Sequence, residues 1–355
     1  MSAPISVVVV NYNGAAHLEH ALPALRALRG PIDEVLVVDN ASTDGSAERV
    51  AELLPGARVL RLPRNDGPCA ARNAGLRAAR NRWVLALDND AVVAPDVLEK
   101  LLAARDAAGP DVAVLQPRSV FFDDPARVHY DGGAFHYAGL IALRNFYAPL
   151  ERAEGRGVVE VDCAIAVALL VDKDRLLELG GWDERYFILF EDLDLSYRLR
   201  ARGLRILSVE DALVRHRGGT SGISFREGPD YPRSRVFLHA RNRRLFLAKN
   251  LAPRTLAAAR PGLALYDLAS FAFALAAGAG AEWRRGRAEA RVQWSALRAE
   301  EARERPRRTV GDAELLRGGP LVLTPAVERS FAKRAASRAL DLALRAWWSV
   351  GRALA

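Results

Sequence analysis

Short apolar runs alternate with segments of helical period through the first 115 residues. The runs at residues 5–10, 34–38, 58–62, 83–87 and 112–115 predict buried strands, because they are brief and either β-branched or continuously apolar. Leucines at 18, 22, 25 and 28 have helical spacing and predict the first helix between these runs. The later segments predict a helix through Leu53, an alanine-rich helix with Arg72, and a helix that starts near Pro95. Ser42 and Thr43 are candidate caps for the second of these helices. The alternation predicts an α/β domain with a mostly parallel sheet and helices on both faces.

The pattern becomes irregular in the next part of the chain. Residues 117–157 are rich in glycine, aspartate, histidine and aromatic residues without a clear period. A long binding loop is the first interpretation of such a stretch, and disorder is the competing one. Residues 158–171 are apolar apart from Glu160 and Asp162 and predict a strand that continues into a packed segment. After them the pattern predicts a helix at 174–179, a helix from Glu191, and strands at 204–209 and 212–214.

Acidic side chains follow two of the predicted strands. Asp39 ends the second strand, and Asp88-Asn89-Asp90 ends the fourth. Open α/β sheets bind ligands at the carboxyl ends of their strands, so these acids are candidate contacts to a ligand or a metal. Side chains two residues apart on an extended segment point the same way, so Asp88 and Asp90 can face one partner together. A plain polar turn is the alternative, because Asp and Asn are common turn residues.

Charge and cysteine content indicate which classes of partner and which cellular compartment fit the chain. The 355 residues include 51 basic and 43 acidic ones, and the formal net charge of +8 suits a phosphate, a membrane surface or a nucleic acid. Cys69 and Cys163 form no short-range motif, which fits a reducing cytosol and argues against a disulfide scaffold or a thiolate zinc site. No secretory signal is predicted at the start of the chain.

The turns disfavour two common nucleotide-binding folds. A dinucleotide-binding domain needs a glycine-rich turn after its first strand, and here the turn is Asn11-Tyr12-Asn13-Gly14. The sequence also lacks a Gly-Lys-Ser/Thr phosphate loop. The polar residues at the strand ends therefore need another explanation.

Six segments, taken in order, resemble glycosyltransferase family 2 of the GT-A fold, and especially its bacterial rhamnosyltransferase-like members. They are residues 7–14, 37–46, Asn65 with 71–75, 87–90, 180–184 with 191–195, and His216. Each segment alone is weak evidence for the family, whereas all six in the same order are specific evidence for it. The resemblance covers about residues 5–250. The resemblance implies a GT-A domain at 1–250, with a Rossmann-like, mostly parallel sheet flanked by helices. A helical C-terminal region would follow at 251–355.

The resemblance gives donor-site roles to the residues at the strand ends. Asp39 would accept the imide N–H of a pyrimidine base, and the backbone near Asn11 would bracket the base and the ribose. Asp88 would contact the ribose or a metal-bound water, beside Asn89, which stands where some relatives carry a third acid. Arg72 would face the base or the diphosphate, with a solvated surface position as the alternative.

The same resemblance implies a divalent metal, Mg²⁺ or Mn²⁺, and a general base. Asp90 is the implied metal ligand, and His216 would help to hold the metal or the diphosphate; a structural histidine is the alternative. Asp192 is the implied base, which removes the proton of the acceptor hydroxyl in a single displacement with inversion. Glu191 and Asp194 compete for that role, although Asp194 lies on a different face of the predicted helix.

The C-terminal third leaves alternatives open. Residues 263–281 are apolar but interrupted by Asp267, and predict a packed or interfacial helix in preference to a membrane span. In the last predicted helix, one face carries Leu340, Leu344, Trp347 and Leu354, and arginines lie roughly opposite. This pattern predicts an anchor at a membrane surface, or a helix that packs on the protein or on a second subunit of a homo-oligomer.

Together these features predict a glycosyltransferase of the hexosyltransferase type. The expected donor is a nucleoside diphosphate sugar of dTDP or UDP type, with rhamnose preferred by resemblance alone. The expected acceptor is a glycan or lipid-linked glycan in cell-surface polysaccharide synthesis, and the expected location is the cytoplasm, with peripheral contact to the inner face of the cell membrane. A nucleotidyltransferase and a non-catalytic nucleotide-sugar-binding protein are the alternatives. Nucleic acid is not an expected partner, because the sequence carries no recognised motif for it.

Overall fold

The computed structural model describes residues 3–218, 231–321 and 330–355. The chain divides into two compact units. The first consists of Met1–Gly133, Arg144–Leu199 and Leu204–Gly218, and the second of Ala134–Leu143, Arg200–Gly203 and Gly219–Ala355. The domain boundary expected at residue 250 stays a prediction, and the helix that ends there is grouped with the second unit.

Strands and helices alternate at first and helices dominate later. The strands are β1 Ile5–Asn11, β2 Ile32–Asp39, β3 Arg58–Arg61, β4 Trp83–Asp88, β5 Ala91–Val93, β6 Val112–Phe121, β7 Val128–Tyr130, β8 Gly133–His136, β9 Leu140–Leu143, β10 Val158–Val161, β11 Ala168–Asp172 and β12 Arg205–His216. The α-helices are α1 Ala15–Arg26, α2 Ser46–Leu53, α3 Gly67–Ala78, α4 Val97–Ala108, α5 Lys173–Glu178, α6 Glu191–Ala201, α7 Arg233–Asn250, α8 Pro253–Ala276, α9 Gly280–Glu304, α10 Asp312–Leu315 and α11 Phe331–Gly351.

The sheet of the first unit is mostly parallel, as predicted. Its main path runs β10-β12-β6-β11-β4-β1-β2-β3. β1 pairs in parallel with β2 and β4, β2 with β3, and β6 with β12. β11 enters between β4 and β6 and is antiparallel to both. The sheet order therefore brings the carboxyl ends of β1, β2 and β4 to one edge.

Both faces of the sheet are buried. On one face Val9 of β1 shares a core with Leu22 of α1, and on the other Val8 shares a core with Leu76 of α3. The backbone of α3 approaches closely, because a Cβ atom on Gly75 would lie 2.4 Å from Val8 Cγ1. Burial on both faces explains why these strands are continuously apolar instead of alternating.

Two stretches differ from the prediction in their strands. β6 continues to Phe121, and residues 117–157 contain β7, β8, β9 and a 3₁₀ turn instead of one irregular loop. These strands are only three or four residues long, so the local sequence carries little period. β12 is a single strand where two were predicted, because a register shift between Val209 and Leu213 accommodates the polar Glu210-Asp211.

The predicted caps of the second helix are wrong. α2 begins at Ser46, after Gly45 with a φ of 77°. Ser42 and Thr43 bind Asn13 instead: the Asn13 backbone N donates to Ser42 Oγ at 3.0 Å, and the Thr43 backbone N donates to Asn13 Oδ1 at 2.8 Å. These polar residues thus tie the loop after β2 to the turn after β1.

In the second unit, α8 contains the polar interruption noted in the sequence. Asp267 Oδ1 lies 2.7 Å from Arg243 Nη1, and Arg287 binds the other oxygen at 2.5 Å. The predicted common face of the last helix is divided, since Leu344 is buried whereas Leu354 is 70% exposed. Throughout the described ranges, no helix is both long enough and apolar enough to cross a bilayer.

Candidate active site

The residues predicted at the strand ends meet at one edge of the sheet. Val10 is in register with Val38 of β2 and with Asp88 of β4, and Asn11 is in register with Asp39. The predicted donor-site residues on these strands are therefore neighbours. This edge is the place where open α/β sheets bind ligands.

Asn11 organises the amide and carboxylate groups at this edge. Its Nδ2 donates to Asp39 Oδ1 at 3.2 Å and to Ser46 Oγ at 2.9 Å, and its Oδ1 accepts from Asn89 Nδ2 at 2.9 Å. Asp39 is 2% exposed. Gly14 leaves space for this arrangement, because a Cβ atom there would lie 2.0 Å from Asn89 Nδ2. Asn89 thus has a structural partner in Asn11.

Arg72 is buried between acidic side chains, which excludes a solvated surface position. Its Nη2 donates to Asp88 Oδ1 at 2.7 Å and to the carbonyl oxygen of Ala166 at 3.2 Å. Its Nη1 lies 3.6 Å from Glu191 Oε1. That buried Nη1 has no hydrogen-bond partner within the described part of the chain. Burial raises the pKa of Asp88 to about 6, although Arg72 acts in the opposite direction.

Asp90 and His216 lie together as the resemblance implies. His216 Nε2 is 3.0 Å from Asp90 Oδ2, and both side chains are about one-tenth exposed. Register explains the approach, since His216 of β12 pairs with Ala91, the residue after Asp90. His17 also borders the pair: a Cβ atom on Gly218 would lie 3.0 Å from His17 Cε1 and 3.4 Å from Asp90 Oδ2. Burial lowers the pKa of His17, which favours the neutral imidazole.

A second histidine, not predicted from the sequence, supports His216 from behind. His129 Nδ1 is 2.8 Å from His216 Nδ1, and the two rings stack with centroids 4.7 Å apart. His129 is 2% exposed and lies on β7. It was missed because it falls in the stretch interpreted as irregular. Neighbouring imidazoles joined in this way hold each other's ring orientation and tautomer.

The residue predicted as general base, Asp192, lies in the first turn of α6 and is held by two hydrogen bonds. Asp192 Oδ1 accepts from Trp182 Nε1, and Oδ2 accepts from the backbone N of Ala166, each at 3.0 Å. Glu191 is buried beside it, and burial together with the Asp192 charge raises the pKa of Glu191 to about 8. Asp194 is fully buried and accepts from Tyr186 Oη and from Arg198 Nε, at 3.2 and 2.8 Å.

The loop that leads into α6 is conformationally strained. Phe187, Leu189 and Phe190 have φ values of 63°, 69° and 74°. Residues other than glycine rarely adopt positive φ values, and they keep them only where the surrounding structure holds the backbone in place. Gly67 lets Phe187 pack directly on the backbone, because a Cβ atom on Gly67 would lie 2.7 Å from Phe187 Cδ2. The backbone therefore enters α6 in one enforced direction beside Asp192.

The contacts link the predicted residues into three groups: Asn11 with Asp39 and Asn89, Arg72 with Asp88, and Asp90 with His216. Arg72 extends the second group to Glu191, the neighbour of Asp192. Among the described residues, three or more His, Cys, Asp or Glu side chains never cluster in a way that could hold a metal ion. Any metal held by Asp90 and His216 thus needs further ligands from a substrate or from water.

Comparison with known proteins identifies the family. The model of the family described as "Glycosyl transferase family 2" matches residues 6–165. The chain is 30% identical over 274 residues to an N-acetylglucosaminyl-diphospho-decaprenol L-rhamnosyltransferase of Mycobacterium tuberculosis. The aligned region covers 70% of this chain and 85% of that protein. The chain belongs to glycosyltransferase family 2. It is accordingly a glycosyltransferase, which confirms the predicted family and enzyme class.

Two further comparisons relate this family 2 glycosyltransferase to a polysaccharide biosynthesis protein and to a solved structure. It is 42% identical over 111 residues to a succinoglycan biosynthesis protein, ExoO, of Rhizobium meliloti, and spans 32% of that protein's length. The solved structure of GalNAc-T7 with UDP, GalNAc and Mn²⁺ matches with a TM-score of 0.56 at 18% identity, covering 73% of this chain and 50% of that one. The structural match confirms the predicted GT-A fold class. The family match ends at residue 165, before Asp192 and His216.

Proposed function

We propose that this family 2 enzyme transfers one sugar, with inversion, from a nucleoside diphosphate sugar to a hydroxyl of a glycan or lipid-linked glycan. The observation that carries the proposal is the position of Arg72. Its guanidinium bridges Asp88 at the carboxyl end of β4 and Glu191 at the start of α6, at 2.7 and 3.6 Å. The donor-binding edge is thereby linked to the start of α6, where Glu191 directly precedes the candidate base Asp192.

The donor end suits a pyrimidine nucleotide. Asp39 is buried and has a carboxylate that can accept an imide N–H, while Asn11 fixes its orientation at 3.2 Å. Asp88 and Asn89 continue the same edge towards the ribose. Nη1 of Arg72 is a buried donor that makes no hydrogen bond within the described residues, and an anionic phosphate oxygen would satisfy it. We therefore retain Arg72 as a contact to the donor diphosphate.

Asp90 and His216 fit a divalent metal of the Mg²⁺ or Mn²⁺ type. A carboxylate oxygen and an imidazole nitrogen 3.0 Å apart can share one ion. Such ions are commonly held by one or two protein groups together with substrate phosphates, so a dedicated protein cage is not required. When bound, the ion would neutralise charge on the departing diphosphate. The Mn²⁺ and UDP named for the solved GalNAc-T7 structure support this proposal by analogy of fold.

Asp192 is the proposed general base. It accepts the proton of the acceptor hydroxyl while the acceptor oxygen forms its bond to the anomeric carbon. The diphosphate leaves with the electron pair of the broken bond, and the configuration inverts. Glu191 suits this role less well, because its raised pKa of about 8 keeps it largely protonated near neutral pH. Asp194 is committed to Tyr186 and Arg198.

The names of the relatives support the finer assignments. The mycobacterial relative is named for rhamnosyl transfer and for a diphospho-decaprenol compound, which favours rhamnose as the sugar and a lipid-linked acceptor. The succinoglycan protein favours a place in polysaccharide biosynthesis. We retain dTDP-rhamnose as the preferred donor, UDP sugars as the alternative, and a cytoplasmic enzyme that contacts the inner membrane surface. Family membership disfavours nucleotidyl transfer and a purely binding role.

The test is a binding and transfer screen on the full chain. Thermal shift and calorimetry would compare dTDP and UDP sugars with Mn²⁺, with Mg²⁺ and with a chelator. We expect one nucleotide class to stabilise the protein only in the presence of metal, and its sugar to be transferred to a polyprenyl-diphosphate-linked acceptor. Equal stabilisation with and without the chelator would refute the metal site. Release of diphosphate from a nucleoside triphosphate, without any sugar transfer, would favour nucleotidyl transfer instead.

A further inference from the structure

Exposed apolar side chains are concentrated on two helices of the second unit. In the described part of the chain thirteen large apolar side chains are exposed, and nine of them lie on α8, on α11 and in the turn that follows α11. These nine are Leu265, Leu268, Phe273, Leu275, Phe331, Leu342, Trp347, Val350 and Leu354. Scattered exposed apolar residues are ordinary, whereas a concentration of them marks an interaction surface.

Most of these residues on α8 fall in one exposed strip. Exposed apolar residues follow each other at intervals of three or four, at Ala257, Pro261, Leu265, Leu268, Ala272 and Leu275. The opposite side of the helix is buried, at Thr255, Ala258, Ala259 and Gly262. An interval of three or four residues keeps side chains on one face of a helix, so the strip is continuous.

α11 has two apolar sides, and only one of them is covered. Leu344 and Trp348 are buried, at 0% and 4% exposure. The other side is exposed along the length of the helix, at Phe331, Ala335, Ala339, Leu342, Ala346 and Val350. This strip differs from the face that the sequence suggested, which included the buried Leu344. The covered side explains how the helix is held, and the uncovered strip remains to be explained.

The two helices pack against each other, so the two strips lie on neighbouring helices. Trp347 Nε1 of α11 donates to the carbonyl oxygen of Ala258 on α8 at 3.0 Å. Tyr137 stacks on Trp348 with centroids 4.5 Å apart and donates from Oη to the carbonyl oxygen of Leu344 at 3.0 Å. Gly262 of α8 lies against the same tyrosine, since a Cβ atom there would be 2.0 Å from Tyr137 Oη.

Basic residues border this surface, and its acids are neutralised. α11 with the following turn carries Lys333, Arg334, Arg338, Arg345 and Arg352. Its single acid, Asp341, is 9% exposed and lies 2.8 Å from Arg345. The single acid of α8, Asp267, is paired with Arg243 and Arg287. The arginines of α11 recur at intervals of four and seven residues and form a row along one flank of the strip.

We propose that the strips on α8 and α11 form a docking face for an anionic lipid bilayer. Leu268, Leu342 and Val350 would enter the boundary between head groups and acyl chains, and the arginine row would meet the lipid phosphates. An apolar strip flanked by arginines, with no exposed carboxylate on either helix, matches the chemistry of such a membrane surface. The proposal rests on the membrane contact proposed above, names the face that makes it, and does not depend on which sugar is moved.

Vesicle flotation of the full-length protein tests the proposal without donor or acceptor. We expect binding to vesicles of mixed phosphatidylcholine and phosphatidylglycerol, and little binding to phosphatidylcholine alone. Leu268→Glu and Leu342→Glu should each weaken binding about tenfold or more, because each places a charge where an aliphatic side chain would be buried. Arg338→Gln should weaken binding to the anionic vesicles about fivefold.

The matched control is Val292→Glu on α9, because Val292 is 81% exposed and lies outside both strips. It should bind vesicles like the unmodified protein. Circular dichroism and the melting temperature verify that every variant is folded. Vesicle binding that is unaffected by both strip variants overturns the proposal. So does a dimer, measured by light scattering, that both variants convert to a monomer in the absence of vesicle binding, since the face would then belong to a second copy. Donor binding is measured separately, so that a failure of the proposed glycosyl transfer can be distinguished from a failure of the proposed membrane binding.

Discussion

Asp192→Asn removes the proposed base while keeping the size of the side chain. The two oxygens of Asp192 accept from Trp182 Nε1 and from the backbone N of Ala166, each at 3.0 Å. An asparagine side chain has one oxygen, so it can accept only one of these hydrogen bonds and turns its NH₂ group towards the other donor. The variant therefore leaves one buried donor unsatisfied, in addition to losing the carboxylate.

The two effects differ in size and can be separated. An unsatisfied donor lowers the free energy of unfolding by about 1–3 kcal/mol. In a unit of this size, each kcal/mol lowers the Tm by about 2–4 °C. Loss of a general base lowers kcat about 10²–10⁴-fold, which corresponds to about 3–5 kcal/mol in activation free energy. Well below the Tm, the destabilised variant is still almost entirely folded, so the loss in kcat reports on catalysis.

The assay is steady-state transfer at saturating donor, together with calorimetry of donor binding. We expect donor affinity to change less than about threefold, because Asp192 is not assigned a donor contact, whereas kcat falls by at least about a hundredfold. Trp182→Phe is the matched control, since it removes one hydrogen bond to Asp192 and keeps the carboxylate. It should lower the Tm by at least as much, because it also leaves a cavity at a fully buried side chain, and it should lower kcat by less than about tenfold. A folded Asp192→Asn variant that retains more than a tenth of wild-type turnover refutes the assignment.

Three further predictions concern the neighbouring groups. Asp90→Ala should abolish the effect of Mn²⁺ on donor affinity in calorimetry, and a persistent metal effect would move the metal elsewhere. Glu191 holds a proton between pH 4.5 and about 8 in the folded state that the unfolded chain has lost, so wild-type stability falls as pH rises through this window. Glu191→Gln should therefore gain stability relative to wild type towards pH 8, and a constant difference in urea denaturation would refute the raised pKa. His129→Phe should weaken Mn²⁺ binding about 10–100-fold, and His129→Asn should restore part of it, because an amide can still bind His216 Nδ1; equal affinities would show that His129 only fills space.

Local patterns predicted the elements that carry the donor-binding edge. β1, β2 and β4 are apolar because both of their faces are buried, and the end of each strand is marked by Asn11, Asp39 or Asp88. The approach of His216 to Asp90 followed only from the family resemblance, because it depends on β12 pairing with β5 across more than 100 residues of chain. No local period encodes such a pairing.

Sequence reasoning failed where a tertiary partner decides the outcome. The arginine-rich composition left a solvated surface position as the alternative for Arg72, because its burial beside Asp88 depends on the packing of α3 against the sheet. His129 carries no signal because its partner lies 87 residues away. α11 is apolar over so much of its circumference that its sequence does not show which side packs on the protein.

The position of β11 has a consequence for synthesis of the chain. β11 begins 80 residues after β4 ends, and yet it completes the hydrogen bonding of β4 on one side and of β6 on the other. A nascent chain that has reached residue 165 therefore carries two strands, β4 and β6, each with an open edge that favours pairing with other chains. A shortened protein intended for expression should extend at least through β12, because the segment matched by the family model ends before β11 and leaves the centre of the sheet incomplete.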